Sequence, residues 1–353
     1  MTLKNVAAPT MRPVITGRVL RLGRVSVRMR PRELWVGGTL VVLLLVGAVL
    51  ALTLGTLRYD LGQVLRALVG DGDARTLRTV TGRRLPRMLT AVLVGGFLAV
   101  SGSAFQSLSR NALGSPDIIG FTAGAATGAV LQIAVFGGGT LATAAAALSG
   151  GLVSAALVYL LARQDGVSGG MRLVLVGIGV GAVMSAVTQL VMVRVAVGEA
   201  SLAQLWLDGS LVGRGWTHVG LLAAGAVVLL PPMLVLARRL RFMEMGDEIA
   251  TAVGIRAERT RLAMILLAVG CSSIAVAAAG PIAFIALAAP QIVVRLTQGG
   301  SVQLMLSFGM GALLLLAADL ISQHVDLGLR TPVGLVTAAL GGVYLIYLLA
   351  RRV

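Results

Sequence analysis

The amino-acid sequence predicts an all-α polytopic membrane protein of about ten transmembrane helices, and three observations carry that reading. Hydrophobic residues make up 57% of the chain and charged residues only 12%, for a mean hydropathy of +0.93. So little polar surface cannot solvate a globule of this size. Apolar runs recur from Leu34 to Ala350, each of a length suited to a hydrocarbon core of roughly 30 Å at about 1.5 Å per residue. The basic residues behind the formal charge of +16 gather at the ends of these runs, where membrane topology accounts for them. No basic stripe interleaved with aromatics and no recognition motif accompanies them, which argues against nucleic acid as a partner.

Segment 1–33 reads as a basic cytoplasmic tail. Lys4, Arg12, Arg18, Arg21, Arg24, Arg28, Arg30 and Arg32 precede an apolar run too long for the core of a signal peptide. The transmembrane domain occupies 34–350, with spans expected at 34–57, 88–108, 117–136, 140–162, 172–197, 217–237, 262–279, 281–296, 301–321 and 332–350; residues 351–353 form a cytoplasmic C-terminus. An even number of spans behind a basic tail puts both termini inside, in agreement with Arg351 and Arg352. Joints 163–171, 238–261 and 297–300 then lie inside, and 58–87, 198–216 and 322–331 outside. Glycines within the spans, among them Gly95, Gly96, Gly102, Gly124 and Gly128, predict close helix crossings, because small residues let backbones approach in lipid. Pro86, Pro116, Pro281, Pro290 and Pro332 mark helix starts or kinks.

Two joints stand out. Outside joint 58–87 breaks the positive-inside pattern with Arg58, Arg66, Arg75, Arg78, Arg83, Arg84 and Arg87, beside Asp60, Asp71 and Asp73. Charge patterning leaves two readings open there: lipid headgroups or local acids, or a docking surface for an acidic soluble protein. Inside joint 238–261 is long and amphipathic. Asp247 and Glu248 can open a helix, since carboxylates complement the positive end of the helix dipole; Gly254 can end it. Two short helices are expected, presenting Ile249, Ala250, Val253 and Ile255 to a soluble partner.

The chemistry that is missing narrows the function. Lys4 is the only lysine, so neither a GxxxxGK[ST] phosphate loop nor a Schiff-base lysine within a span can exist here. ATP, if it drives this protein, binds another subunit. His218 and His324 are the only histidines and stand far apart, which excludes HExxH zinc chemistry. Cys271 is the only cysteine, so no intrachain disulfide forms, and its place in an apolar run reads as packing. Asp319 is the sole acid well inside an expected span. One carboxylate gives thin support to an ion-coupled transporter or a membrane enzyme, and Asp319 reads either as a structural acid bonded to a neighbouring helix or as a pathway residue.

From about Tyr59 to Ala350 the chain resembles the permeases of binding-protein-dependent ABC importers for iron–siderophores, haem and cobalamin. The resemblance rests on Arg84-Leu85-Pro86-Arg87, Ser101-Gly102 through Gln106, Arg110-Asn111-Ala112-Leu113-Gly114-Ser115-Pro116-Asp117, Gly120 and Met245-Gly246-Asp247. It continues through Ala279-Gly280-Pro281 to Pro290, Ala317-Ala318-Asp319, Pro332-Val333-Gly334 and Gly341-Gly342.

This resemblance implies a type II ABC importer permease fold in a bacterial plasma membrane, moving ferric-siderophore complexes inward without enzymatic activity of its own. Haem or cobalamin is the alternative cargo within the family, and a secondary transporter the alternative from another class. The implied partners are a second permease subunit, identical or sister, two cytoplasmic ATPases that hold ATP and Mg, and an extracytoplasmic binding protein; no cofactor is bound by this chain. Site roles carry over in the same way. Arg84 and Arg87 match arginines that meet acids on the binding protein. Gly246, Asp247, Glu248, Ala250, Val253, Gly254 and Arg256 match the segment that couples to the ATPase, and Asn111, Leu113, Gly169 and Gly170 match the gate at the cytoplasmic end. Glycines at 169 and 170 depart from the small hydroxyl residues of the cobalamin relative. Gln291 stands where many relatives have histidine, which keeps hydrogen bonding and removes titration near neutral pH.

Overall fold

A computed structural model describes residues 18–22, 25–117, 120–137, 139–163, 170–299, 302–324 and 331–350 of the 353-residue chain. An antiparallel strand pair, β1 (Arg18–Leu22) and β2 (Val25–Met29), precedes the bundle, with Arg18 opposite Met29 and Leu22 opposite Val25. Reading that segment by charge as a plain tail misses the strict apolar–polar alternation of Val25-Ser26-Val27-Arg28-Met29, which is a strand pattern.

Helices form the rest: α1 (Pro31–Thr53), α2 (Leu61–Leu68), α3 (Ala74–Thr79), a π-helical turn (Val80–Arg84), α4 (Leu85–Ser109), α5 (Phe121–Val135) and α6 (Thr140–Ala162). They continue as α7 (Gly170–Arg194), α8 (Val197–Leu207), α9 (Trp216–Glu244), α10 (Asp247–Ala252), α11 (Ala257–Ala279), α12 (Ile285–Thr297), α13 (Leu304–His324) and α14 (Val333–Ala350). Each of the ten expected spans coincides with one of α1, α4–α7, α9 and α11–α14. Seven stretches are long and apolar enough to cross a membrane, and shorter apolar helices occupy Phe121–Val135, Ile285–Thr297 and Val333–Tyr344. At about 1.5 Å per residue α5 and α12 fall short of a bilayer, and non-helical backbone at that depth is tolerable where protein buries it.

The joints hold more structure than their polarity suggests. In 58–87, α3, the π-helical turn and α4 run on without interruption, so Arg75, Arg78, Arg83, Arg84 and Arg87 sit on helical turns. Two of the acids there serve as caps: Asp60 accepts from Gly62 N at 3.0 Å and Asp73 from Thr76 N at 3.2 Å. Joint 198–216 contains α8. Helix α9 passes through Pro231 and Pro232 and ends at Glu244, beyond the expected boundary at 237. Only one of the two short helices expected in 238–261 is separate, α10. The other is the first turn of α11, because nothing from Ala257 to Ala279 interrupts the helix and Glu258 pairs with Arg261 one turn on.

Helix α4 lies at the centre, buried almost continuously from Val94 to Gln106 and packed by α9, α11, α12 and α13. Its glycines set the crossings. A side chain at Gly95 would overlap the Gly311 carbonyl of α13, and one at Gly102 the Ala286 carbonyl of α12; Gly124 of α5 and Gly150 of α6 approach in the same way. Gly102→Val is therefore expected to cost at least about 1–3 kcal/mol by overpacking and to spoil the monodisperse elution of the purified chain. Gly220→Ala, where a methyl group would meet nothing within 4 Å, serves as the tolerated comparison.

Two ends of the bundle emerge from the contacts between joints. At one end Trp216 Nε1 donates to Thr81 O (3.0 Å), Ser210 N to Ala279 O (2.8 Å) and Gly334 N to Gly209 O (3.2 Å). At the other, Arg32 donates to the Gln298 side chain, Arg241 to Val302 O (3.4 Å) and Tyr159 to Glu258 (3.0 Å). The grouping matches the two sets of joints read from the sequence; residues 1–17 and 351–353 lie outside the described residues.

Candidate functional site

Helix α10 projects from the second end. Gly246 (φ 127°) precedes it, and Asp247 and Glu248 open its first turn. Gly254 (φ 81°) closes it: Gly254 N donates to Thr251 O (2.9 Å) and Ile255 N to Ala250 O (2.9 Å), a glycine-ended motif that needs the left-handed backbone a glycine supplies. The expected outward face changes in detail. Ala250 is fully buried and Ile255 packs against the core, while Phe242, Met245, Ile249 and Val253 are exposed, Ile249 by 49% and Val253 by 56%. An apolar patch this close to a polar rim marks an interaction surface.

Asp247 divides its carboxylate between two helices. One oxygen accepts from Arg110 at the end of α4 (2.9 Å) and the other from Arg261 in the first turns of α11 (2.6 Å). Arg261 is 6% exposed and also pairs with Glu258, and Arg110 donates to Met243 O (2.9 Å) as well. Arg110 stands in the left-handed region (φ 50°) and is followed by the turn in which Asn111 Oδ1 accepts from Leu113 N (2.9 Å). The sequence offers Asp247 and Asn111 as members of separate motifs. The structure joins them through Arg110, a residue quoted for its motif and given no role of its own. Leu113 is 49% exposed, Gly170 begins α7, and Gly169 lies outside the described residues.

Beside this network a cavity of about 270 Å³ is lined by Ser107, Arg110, Asn111, Glu244, Gln291 and Gln303, among others. Ser107 donates to Glu244 (2.7 Å), Gln291 to Gln106 Oε1 (2.8 Å) and Gln106 to Leu287 O (3.0 Å). Gln291 thus joins an amide chain between α12 and α4.

Asp117, in the joint before α5, accepts from Thr122 Oγ1 (2.6 Å).

At the opposite end, both arginines assigned to docking have partners within the chain. Arg84 donates to the carbonyls of Leu52 (2.6 Å), Thr53 (3.1 Å) and Leu57, and its guanidinium lies 5.1 Å from the Tyr59 ring centroid. It satisfies the open end of α1. Charge-assisted hydrogen bonds are worth about 1.5–3 kcal/mol each, so Arg84→Met is expected to lower the melting temperature by several degrees and to expose the 54–60 joint to protease. Arg87 grips Asp319 with Nη2 at 2.7 Å and Nε at 3.1 Å; Asp319 also accepts from Gln323 (2.8 Å). Asp319 is therefore bonded to a neighbouring helix, one of the two readings its position allows. Arg58, Arg66, Arg75, Arg78 and Arg83 remain exposed around this pair.

The fold is a polytopic helical membrane bundle, with α10 tied to the ends of α4 and α11 at one end and arginines exposed at the other. Residues 43–351 match the FecCD transport family, and the chain belongs to it. Among its relatives, the ferric enterobactin transport system permease protein FepG of Escherichia coli K12 is 43% identical over 307 residues, covering 87% of this chain and 93% of that protein. The achromobactin transport system permease protein CbrC of Dickeya dadantii is 38% identical, covering 90% and 92%. The iron(3+)-hydroxamate import system permease protein FhuG of Bacillus subtilis is 36% identical, covering 86% and 92%. A solved inward-facing conformation of a metal-chelate type ABC transporter superposes with a TM-score of 0.79 at 27% identity, covering 90% of this chain and 99% of that one. The chain is thus an ABC transporter permease and multi-pass in the membrane.

Proposed function

We propose that this chain is the membrane subunit through which a ferric-siderophore complex enters the cytoplasm, driven by ATP hydrolysis on separate subunits. The observation that carries the cargo is the 43% identity to a ferric enterobactin permease over 87% of the chain, joined by relatives named for achromobactin and for iron hydroxamates. Iron arrives wrapped in its chelator, so recognition requires no metal ligands from this chain. The end bearing α10 faces the cytoplasm, as do both termini.

The exposed apolar face of α10 seats in a cleft of a cytoplasmic ATPase. When two ATPases close, α10 moves; Asp247 draws on Arg110 and Arg261, and the Asn111–Leu113 turn next to Arg110 follows. Helices packed this tightly slide as bodies, which makes the response a shear between discrete arrangements. Gly169 and Gly170 complete the gate at the cytoplasmic end. At the opposite end Arg84 and Arg87 belong to the docking face for an extracytoplasmic binding protein. Their intramolecular bonds hold that face in shape, while exposed Arg58, Arg75, Arg78 and Arg83 present charge to its acids and set orientation and on-rate.

The test is reconstitution with the cognate ATPase and binding protein in liposomes. Uptake of a radiolabelled ferric siderophore should require ATP hydrolysis and the binding protein; uptake of haem or cobalamin in preference to every ferric siderophore tried would overturn the cargo assignment.

A further inference from the structure

A second cavity, of about 450 Å³, lies between α9 and the foot of α11 at the end that carries α10. Leu236 and Arg239 line it from α9, Arg256 from the α10–α11 joint, and Arg259, Thr260 and Ala263 from α11. None of the three arginines forms an ion pair with a described acid. Asp247 bonds Arg110 and Arg261, Glu258 bonds Arg261 and Tyr159, and Glu248 lies exposed in the first turn of α10. Three exposed arginines therefore line one cavity with no ion pair among the described residues. Arg256 also occupies the N-cap of the 23-residue α11, whose first-turn N–H groups and dipole add to the attraction for an anion.

Beyond the cavity, α9 and α11 carry exposed apolar surface that points to the anion's carrier. On α9, Val228, Val235 and Arg239 fall on one stripe at spacings of seven and four. On α11, Arg259, Ala263 and Leu266 do so at four and three. Val228 and Val235 are each 66% exposed and Leu266 47%. Each stripe runs from bare apolar surface within the membrane helix to a cation at its end. That is the profile of a phospholipid, chains along the helix and phosphate at the rim.

We propose that this pocket binds the phosphate headgroup of an anionic phospholipid, held by Arg239, Arg256 and Arg259, with acyl chains lying along the exposed stripes of α9 and α11. The Gly254–Ile255 backbone at which α10 turns into α11 borders the same cavity. A bound lipid would brace that pivot. The proposal rests on the membrane fold alone and is independent of the cargo.

Native mass spectrometry of the delipidated, detergent-purified chain titrated with phosphatidylglycerol or phosphatidylcholine tests it. The parent is expected to retain phosphatidylglycerol at least about tenfold more readily, roughly the effect of a single well-placed charge at a membrane rim. The triple variant Arg239→Gln, Arg256→Gln, Arg259→Gln should lose that preference, and the corresponding lysine triple should keep part of it. Arg75→Gln, Arg78→Gln, Arg83→Gln at the other end removes equal charge and should leave the preference intact. Equal loss in both glutamine triples, or retention in the first with unchanged melting, would overturn the site. Full displacement by inorganic phosphate, with phosphate alone bound as tightly, would assign it to a free anion. Unchanged lipid retention with lost ATPase binding would assign it to a protein partner. Either result contradicts the proposal. Should the glutamine triple fail to fold, the lysine triple and the inorganic phosphate arm still decide it.

Discussion

Asp247→Arg is expected to cut ATP-coupled uptake by at least roughly tenfold, a penalty of about 1.4 kcal/mol in the coupling step, while the membrane bundle stays assembled. The substitution replaces two attractions, to Arg110 at 2.9 Å and Arg261 at 2.6 Å, with two repulsions. The Arg110 pair is exposed, and such pairs contribute only about 0–1 kcal/mol to stability, but Arg261 is 6% exposed and keeps only Glu258, so the melting temperature should fall by a few degrees without loss of the bundle. What is lost is the tie between α10 and the ends of α4 and α11. Uptake and binding-protein-stimulated ATP hydrolysis in proteoliposomes, measured beside the melting temperature, separate the two effects. Adding Arg110→Asp to the variant rebuilds one pair with reversed polarity and should recover part of the uptake. Unchanged uptake in Asp247→Arg would remove the wiring from the account.

Arg87→Leu has the opposite profile, a large effect on folding. Its partner Asp319 has only 2% of its side chain exposed, against 24% for Arg87, and removing one member of a buried pair costs about 3–5 kcal/mol because the other charge is left uncompensated. The variant should express poorly and melt well below the parent. Replacing both members, Arg87→Leu with Asp319→Leu, should restore most of the lost stability, since well-packed apolar residues often substitute for a buried pair at little cost. A double variant as unstable as the single would mean that the pair is not what Arg87 contributes. Loss of binding-protein docking in an Arg87→Glu variant is correspondingly ambiguous, and docking is better probed at exposed Arg75 and Arg78.

Arg87 and Asp319 also mark where reading the sequence stops. Run lengths locate ten apolar helices, seven of them in stretches long and apolar enough to cross a membrane, because a bilayer imposes one length scale on the chain. Gly254 announces the end of α10 because a single backbone conformation requires it. The Arg87–Asp319 pair carries no such signal, its members standing 232 positions apart, and only the crossing of α4 and α13 brings them together. Arg84 is read as a surface charge when its guanidinium turns back to cap α1. Ala250 is placed on the outer face because a six-residue helix has too few positions to fix its rotation by pattern. Arg110 is the clearest omission: its left-handed backbone aims it at Asp247, and that geometry follows from the turn after α4, which no periodicity reports.

The direct test of the central claim is uptake of a ferric siderophore into liposomes holding the complete importer, compared with ATP, with a non-hydrolysable analogue, and with an imposed proton or sodium gradient. Accumulation only when ATP is hydrolysed, abolished when the ATPase subunits are omitted, is the predicted result. Accumulation driven by an ion gradient without the ATPase would contradict it.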